Sequence, residues 1–260
     1  MRSTFRRARS LREDEVRALW RLRLQLIDLK PTVSPEQDFE AFAKDFQWPG
    51  WVWIGWDGDR VGGFFLQRGV PVTWRGRELL CLLPEYGFVA PHLRGGAVLP
   101  VAAVVITALS AARHPLRPKY VAASTYPPGY IAFRRAVSPF WTLSDPALPD
   151  WERSLLLHLG ERVSGVSFRP STGTVTMRTV PFAGRSPRGE DGRALFAAYE
   201  GANPEWREGV GLFFLFPVSA GSLAKVVLHA AERAAPRPIV SAWRGAVAAS
   251  RRWAAGARSG

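Results

Sequence analysis

The reading of this chain turns on residues 85–112. There Glu85-Tyr-Gly-Phe-Val-Ala-Pro-His-Leu-Arg-Gly-Gly-Ala97 runs directly into Val98-Leu-Pro-Val-Ala-Ala-Val-Val-Ile-Thr-Ala-Leu-Ser-Ala-Ala112. The first part closes a long extended run, Leu79 to Ala90, which the ring of Pro84 should bulge or interrupt, because proline cannot donate to a ladder. The second part is an uncharged helix with Pro100 in its first turn, where a helix tolerates proline. Gly95-Gly96 makes the tight connection between them. Free amides at a helix start, with no side chains in the way, are a ready anion site.

Upstream, Trp51-Val-Trp-Ile-Gly-Trp56 reads as an interior strand, and Asp57-Gly58-Asp59 turns it into Val61–Gln67. Val70–Trp74, a turn at Arg75-Gly76 and Glu78–Leu83 continue the meander. Two amphipathic helices open the chain. Ser10-Leu-Arg-Glu13 is a capping box for a helix through Leu29, and Ser34-Pro35-Glu36-Gln37 starts a second with Phe39, Phe42, Ala43 and Phe46 on one stripe. Downstream, Tyr120–Ser124 reads as a strand and Thr125–Pro128 as a loop. Helices are expected over Gly129–Val137, Trp151–Arg162 and Ser222–Ala234, with a weaker one near 191–202. Strands are expected at Thr174–Val180 and Val210–Pro217, with a long insertion between them. The fold class is therefore α/β (α+β): a mixed, mostly antiparallel central sheet flanked by helices, with a C-terminal elaboration.

With 260 residues, 47% of them hydrophobic, the chain can bury a large core. A single cysteine, Cys81, excludes an internal disulfide framework and a cysteine-cluster metal site. The four histidines have no ligand spacing, so no metal is expected. The longest apolar run, Ala97 to Ala112, is too short to span a bilayer. The net charge of +13 sits at the ends: Arg2, Arg6, Arg7, Arg9 and Arg12 in the first twelve residues, and six arginines after residue 232, with no acid in either stretch. The body between is nearly neutral, so no specific nucleic-acid face is expected. Only four of the 35 basic residues are lysine, which fits the codon bias of a GC-rich, bacterial genome. No apolar leader follows the basic N-terminus, and a cytoplasmic protein is expected.

The segment Glu85–Ala97 and the apolar helix after it resemble the acyl-CoA signature of the GNAT (GCN5-related N-acetyltransferase) superfamily, as does the element order over residues 5–140. In that family a strand ends in V-x-P-x-x-R-G, and its glycine loop and helix start hold the coenzyme A pyrophosphate. The resemblance implies that Arg94, Gly95, Gly96 and Ala97 bind the pyrophosphate, and that the backbone of Phe88, Val89 and Ala90 pairs with the pantetheine arm. It implies Glu85 as general base, and Tyr126 or Tyr130 as general acid on the leaving thiolate. Two features depart from the family pattern. The glycines fall at 95 and 96 rather than at the fourth and sixth places from Arg94, and the family's usual tyrosine slot holds Phe133-Arg134.

The resemblance implies an acyltransferase, most simply an N-acetyltransferase, using acetyl-CoA or another acyl-CoA on a small-molecule or peptide amine. The competing reading is a catalytically inactive GNAT-like module that docks through its basic ends. Its tail places Ile239, Trp243, Ala246, Val247 and Ser250 on one helical face and Arg244, Arg251 and Arg252 towards the other, a surface for an anionic membrane or an acidic partner. The expected divisions are an acyl-CoA-binding core over 1–162, C-terminal strands and helix over 163–235, and the basic tail over 236–260. The sequence leaves the acceptor, the acyl chain and the oligomeric state open.

Overall fold

A computed structural model describes residues 2–93, 98–181, 189–219, 221–226 and 228. The chain begins with β1 (Arg2–Arg7), α1 (Glu13–Leu24), β2 (Ile27–Leu29) and α2 (Pro35–Phe46). A meander follows: β3 (Gly50–Asp57), β4 (Arg60–Trp74) and β5 (Arg77–Val89). Then come α3 (Val98–Ala111), β6 (Lys119–Thr125), α4 (Pro127–Ala136), β7 (Trp141–Thr142) and α5 (Asp150–Ser164). The last part holds β8 (Phe168–Arg169), β9 (Thr174–Thr176), β10 (Thr179–Pro181), α6 (Glu190–Ala202) and β11 (Val210–Pro217).

Among the described residues one nine-stranded sheet runs β1-β3-β4-β5-β6-β11-β9-β8, with β7 also paired to β11. All of its pairings are antiparallel except β5 with β6. The expected mixed, mostly antiparallel sheet between helices is the one observed. Period-two alternation sorts its side chains. Val52, Ile54, Phe64 and Leu66 pack on α1 and α2, and Phe213 and Leu215 pack on α5; together they form the first face. Trp53 and Phe65 pack on α3, and Leu212, Phe214 and Phe216 on α4 and α6; these form the second.

Local chemistry explains the expectations that hold. Ser34 Oγ accepts from the Gln37 amide and Gln37 Oε1 accepts from the Ser34 amide, both at 3.2 Å, a reciprocal cap with Pro35 in the first turn. Arg75 and Gly76, at φ 46° and 74°, form the two-residue turn that joins β4 to β5. The bulge near Pro84 is present: Leu66 pairs with Tyr86 and Gln67 with Pro84, so Glu85 is the extra residue.

Other expectations are corrected. The arginine-rich start is a strand, β1, paired with β3 from Arg2↔Trp56 to Arg7↔Trp51. The first helix starts after Arg12, whose amide donates to Glu15 at 2.9 Å, while Ser10 Oγ donates back to Arg7. That helix stops at Leu24, because Ile27–Leu29 pairs with Thr179–Pro181 in a separate two-stranded sheet. The single strand expected over 174–180 is therefore two: β9 joins β11, and β10 joins β2. Val61–Gln67 and Val70–Trp74 belong to one strand, β4 (Arg60–Trp74), and α4 starts at Pro127 rather than Gly129. The tail over 236–260, and Arg94, Gly95, Gly96 and Ala97, lie outside the described residues. Among those that are described, no helix is long and apolar enough to cross a membrane.

Candidate active site

The parallel pair β5/β6 is short. Leu80, Cys81 and Leu82 match Lys119, Tyr120 and Val121, and pairing then stops although both strands continue. Beyond that point each strand keeps its outer neighbour: β5 stays with β4 as far as Gly63↔Val89, and β6 stays with β11 as far as Leu212↔Thr125. The bulge at Glu85 bends β5 where the strands part. The result is a wedge-shaped opening in the middle of the sheet, with Pro84 to Gly87 on one wall and Ala123 to Thr125 on the other.

Two cavities meet there, one on each face. On the second face a cavity of about 300 Å³ lies between α3 and α4, lined by apolar groups such as Leu99, Ala103, Phe133 and Phe214. On the first face a cavity of about 730 Å³ carries Arg23, Asp45, Arg68, Glu85, Tyr126 and Arg178. Pro84, Glu85, Tyr86 and Gly87 line both. The opening thus joins an apolar slot to a charged bowl.

Glu85 is the extra residue of the bulge, and its Oε1 accepts from Arg68 Nε at 2.6 Å. Its side chain is 18% exposed. Burial lifts its carboxyl from the usual 4.5 to about 7; Arg68 opposes the shift, and Asp45 adds to it. A carboxyl poised near neutrality in a cleft is what a general base requires. Asp45 in turn accepts from Tyr86 Oη at 2.6 Å, and burial together with that carboxylate pushes the Tyr86 phenol well above its usual range.

The two tyrosines named from the sequence part company. Tyr126, at the N-terminal end of α4, lines the charged bowl and donates to the Thr179 carbonyl at 2.5 Å. Burial pushes its phenol up to about 12. Tyr130 lies one turn on, buried against Phe140 and Tyr199, and lines neither cavity. The helix that carries both turns its second tyrosine into the core.

The backbone of 88–90 also divides. Ala90 donates its amide to the Gly62 carbonyl at 2.8 Å. By the alternation of an antiparallel ladder, Phe88 likewise directs its backbone groups to β4, whereas Gly87 directs its own to the opening. Gly87 is a residue the sequence reading missed. A Cβ there would stand 3.3 Å from the Phe65 ring, so its lack of a side chain keeps the slot open. Arg68, Asp45 and Arg178 were missed too, because nothing in their local sequence separates them from other surface charges. Cys81 is fully buried beneath the site, its thiol pushed up to about 12 by burial.

No family model matches the chain, and no curated protein matches its sequence. Among solved structures it is similar to a protein of the GNAT family from Desulfovibrio desulfuricans, at 13% identity over 54% of this chain and 86% of that one, with a TM-score of 0.37. It is also similar to Escherichia coli ElaA (15% identity, 55% and 89% covered, TM-score 0.38). A third is the aminoglycoside N-acetyltransferase AAC(6')-Iy in complex with CoA (15%, 50% and 82%, TM-score 0.36).

Proposed function

We propose that this chain is a GNAT-type N-acyltransferase that moves an acyl group, most simply acetyl, from acyl-CoA to an amine. One observation carries the reading: the sheet opens between β5 and β6, with a near-neutral carboxyl at the mouth and a cavity on each side. The apolar slot beside α3 suits the thioester arm, and the charged bowl suits a polar acceptor. The backbone groups of Gly87, which face the opening, are partners for the amides of that arm, one position before the three residues implied by the resemblance.

In this reading Glu85 takes the proton from the acceptor ammonium. The free amine then attacks the thioester carbonyl, the C–N bond forms, the nitrogen gives its second proton to solvent, and the C–S bond breaks. Tyr126 holds its proton at neutral pH and delivers it to the departing sulfur, and solvent restores it. Arg68 is a positioning residue. It fixes the Glu85 carboxyl and limits how far burial raises it.

Release of free thiol from acetyl-CoA, followed over a panel of small amines and peptides, tests the reading. Turnover with at least one acceptor, lost in Glu85→Gln, supports it. Wild-type turnover in that variant removes Glu85 as the base.

A further inference from the structure

A second pocket, of about 590 Å³, shares no lining residue with the two cavities above. It lies on the second face, between the start of β3 and the end of α3. The pleat explains its floor. Trp51, Gly69, Pro71 and Leu80 follow the strand positions that face α3, and Gly69 leaves the sheet bare there. A Cβ at Gly69 would meet Leu80 Cδ1 at 3.6 Å and Leu82 Cδ2 at 3.8 Å, ordinary contacts, so the space above it is open.

The walls are cationic. The cations are Arg7 and Arg9 from the N-terminal segment and Arg113 just past the end of α3, with the His114 ring beside it. None of these four has an ion-pair partner among the described residues, unlike Arg6 and Arg68, which pair with Glu15 and Glu85. No carboxylate is among the described residues that line the pocket. The cations are also held in place. The Arg7 guanidinium lies 3.6 Å from the centre of the Trp51 ring, Arg113 lies 6.0 Å from the same ring, and Arg9 Nε donates to the Gln47 carbonyl at 2.6 Å. Two further polar groups stand by. Trp51 keeps a buried Nε1–H without an acceptor, and Ser110 adds a hydroxyl at the floor.

Three fixed guanidiniums around one concavity repel one another and leave most of their N–H donors unspent. An anion with several oxygens relieves both costs, and guanidinium forks match phosphate geometry. A single carboxylate would leave charge and donors over. We propose that this pocket binds the diphosphate group of a small molecule, at a site separate from the acyl-transfer opening.

The test is calorimetric titration of inorganic pyrophosphate and of ADP, at near-physiological salt, into the full chain. The comparison is with Gly69→Leu, which fills the floor without changing charge, and with Arg113→Glu, an exposed position whose change spares the core. Acetyl-CoA is titrated into the same three proteins. The expected result is one pyrophosphate or ADP site, weakened at least tenfold in both variants, with acetyl-CoA affinity unchanged. Binding of ADP but not pyrophosphate assigns the ligand as a nucleotide; binding of both assigns the diphosphate alone. Equal affinity in all three proteins, or no binding up to millimolar, would overturn the proposal. Because acetyl-CoA is measured separately, the acyltransferase reading can fail without touching this one.

Discussion

Arg68 and Glu85 meet across the β4/β5 ladder at 2.6 Å, at the residue where that ladder is bulged. Without the extra residue, every side chain from Tyr86 onward would fall on the opposite face of the sheet. Before the bulge, Leu79, Cys81 and Leu83 are the residues on the first face; after it, Tyr86 and Phe88 are. One inserted residue therefore turns Tyr86 onto the face of Asp45, beside the Glu85–Arg68 pair.

Glu85→Gln should lower turnover by roughly 10²–10⁴-fold, the range for loss of a positioned general base. Acetyl-CoA affinity should stay within about twofold, since the side chain serves the acceptor. In the wild type, kcat/KM should rise with pH through about 7, as the carboxyl ionises. A flat profile over that range would exclude this group as the base.

The same carboxyl makes stability pH-dependent. Its folded value is raised, so the folded state favours the protonated form. That contribution is complete below the ordinary value of 4.5 and is lost as pH rises through about 7. Thermal melts of wild type and Glu85→Gln should therefore shift in the variant's favour between those two pH values. A constant difference in Tm would contradict the raised value.

Arg68→Met removes the cation that holds Glu85 down, so the apparent pKa of the pH–rate profile should move alkaline, by on the order of one unit. An acid shift would mean that burial is not what lifts the carboxyl.

Tyr126→Phe should reduce kcat more than KM, because the hydroxyl serves the leaving group. It also loses the bond to the Thr179 carbonyl, so some stability goes with it, about 1 kcal/mol. Tyr130→Phe should leave turnover near wild type, since that ring lines neither cavity. Equal losses in both variants would argue for a packing effect alone.

Asp38 tests the scaffold rather than the site. Fully buried, it accepts from Trp20 at 2.8 Å and from Arg23 at 3.1 Å, which ties α1 to α2. Burial raises its carboxyl, but the bonds from Arg23 and Trp20 win and hold it below its ordinary 3.8. The stability it contributes is present above that value and lost as pH falls through the lowered one. Asp38→Ala should cost about 3–5 kcal/mol, because Arg23 is left as a buried, unpaired charge. Urea unfolding at neutral pH measures it.

What the sequence made legible was local. The Ser34–Gln37 cap, the hairpin turn at Arg75-Gly76 and the bulge at Pro84 depend on residues within a few positions of one another, and each stands as read. What it hid was set by partners far away. Arg2–Arg7 has the composition of a basic tail; β3 makes it a strand, with Arg7 lying on Trp51. Ile27 continues a helical stripe, and only β10, some 150 residues on, pulls it into a strand. The site divides in the same way. The resemblance pointed to Glu85 by its distance from the glycine loop, and Glu85 lines the opening. Arg68, Asp45 and Arg178 come from β4, α2 and the segment before β10, so only the folded sheet brings them to it.

The most direct test of the central claim is calorimetric titration of acetyl-CoA into the wild type and into Gly87→Val. The account predicts micromolar binding to the wild type and affinity at least tenfold weaker in the variant, because the added methyls enter the slot beside Phe65. Binding that the variant leaves unchanged, or no binding to the wild type up to millimolar, would contradict an acyl-CoA site between β5 and β6.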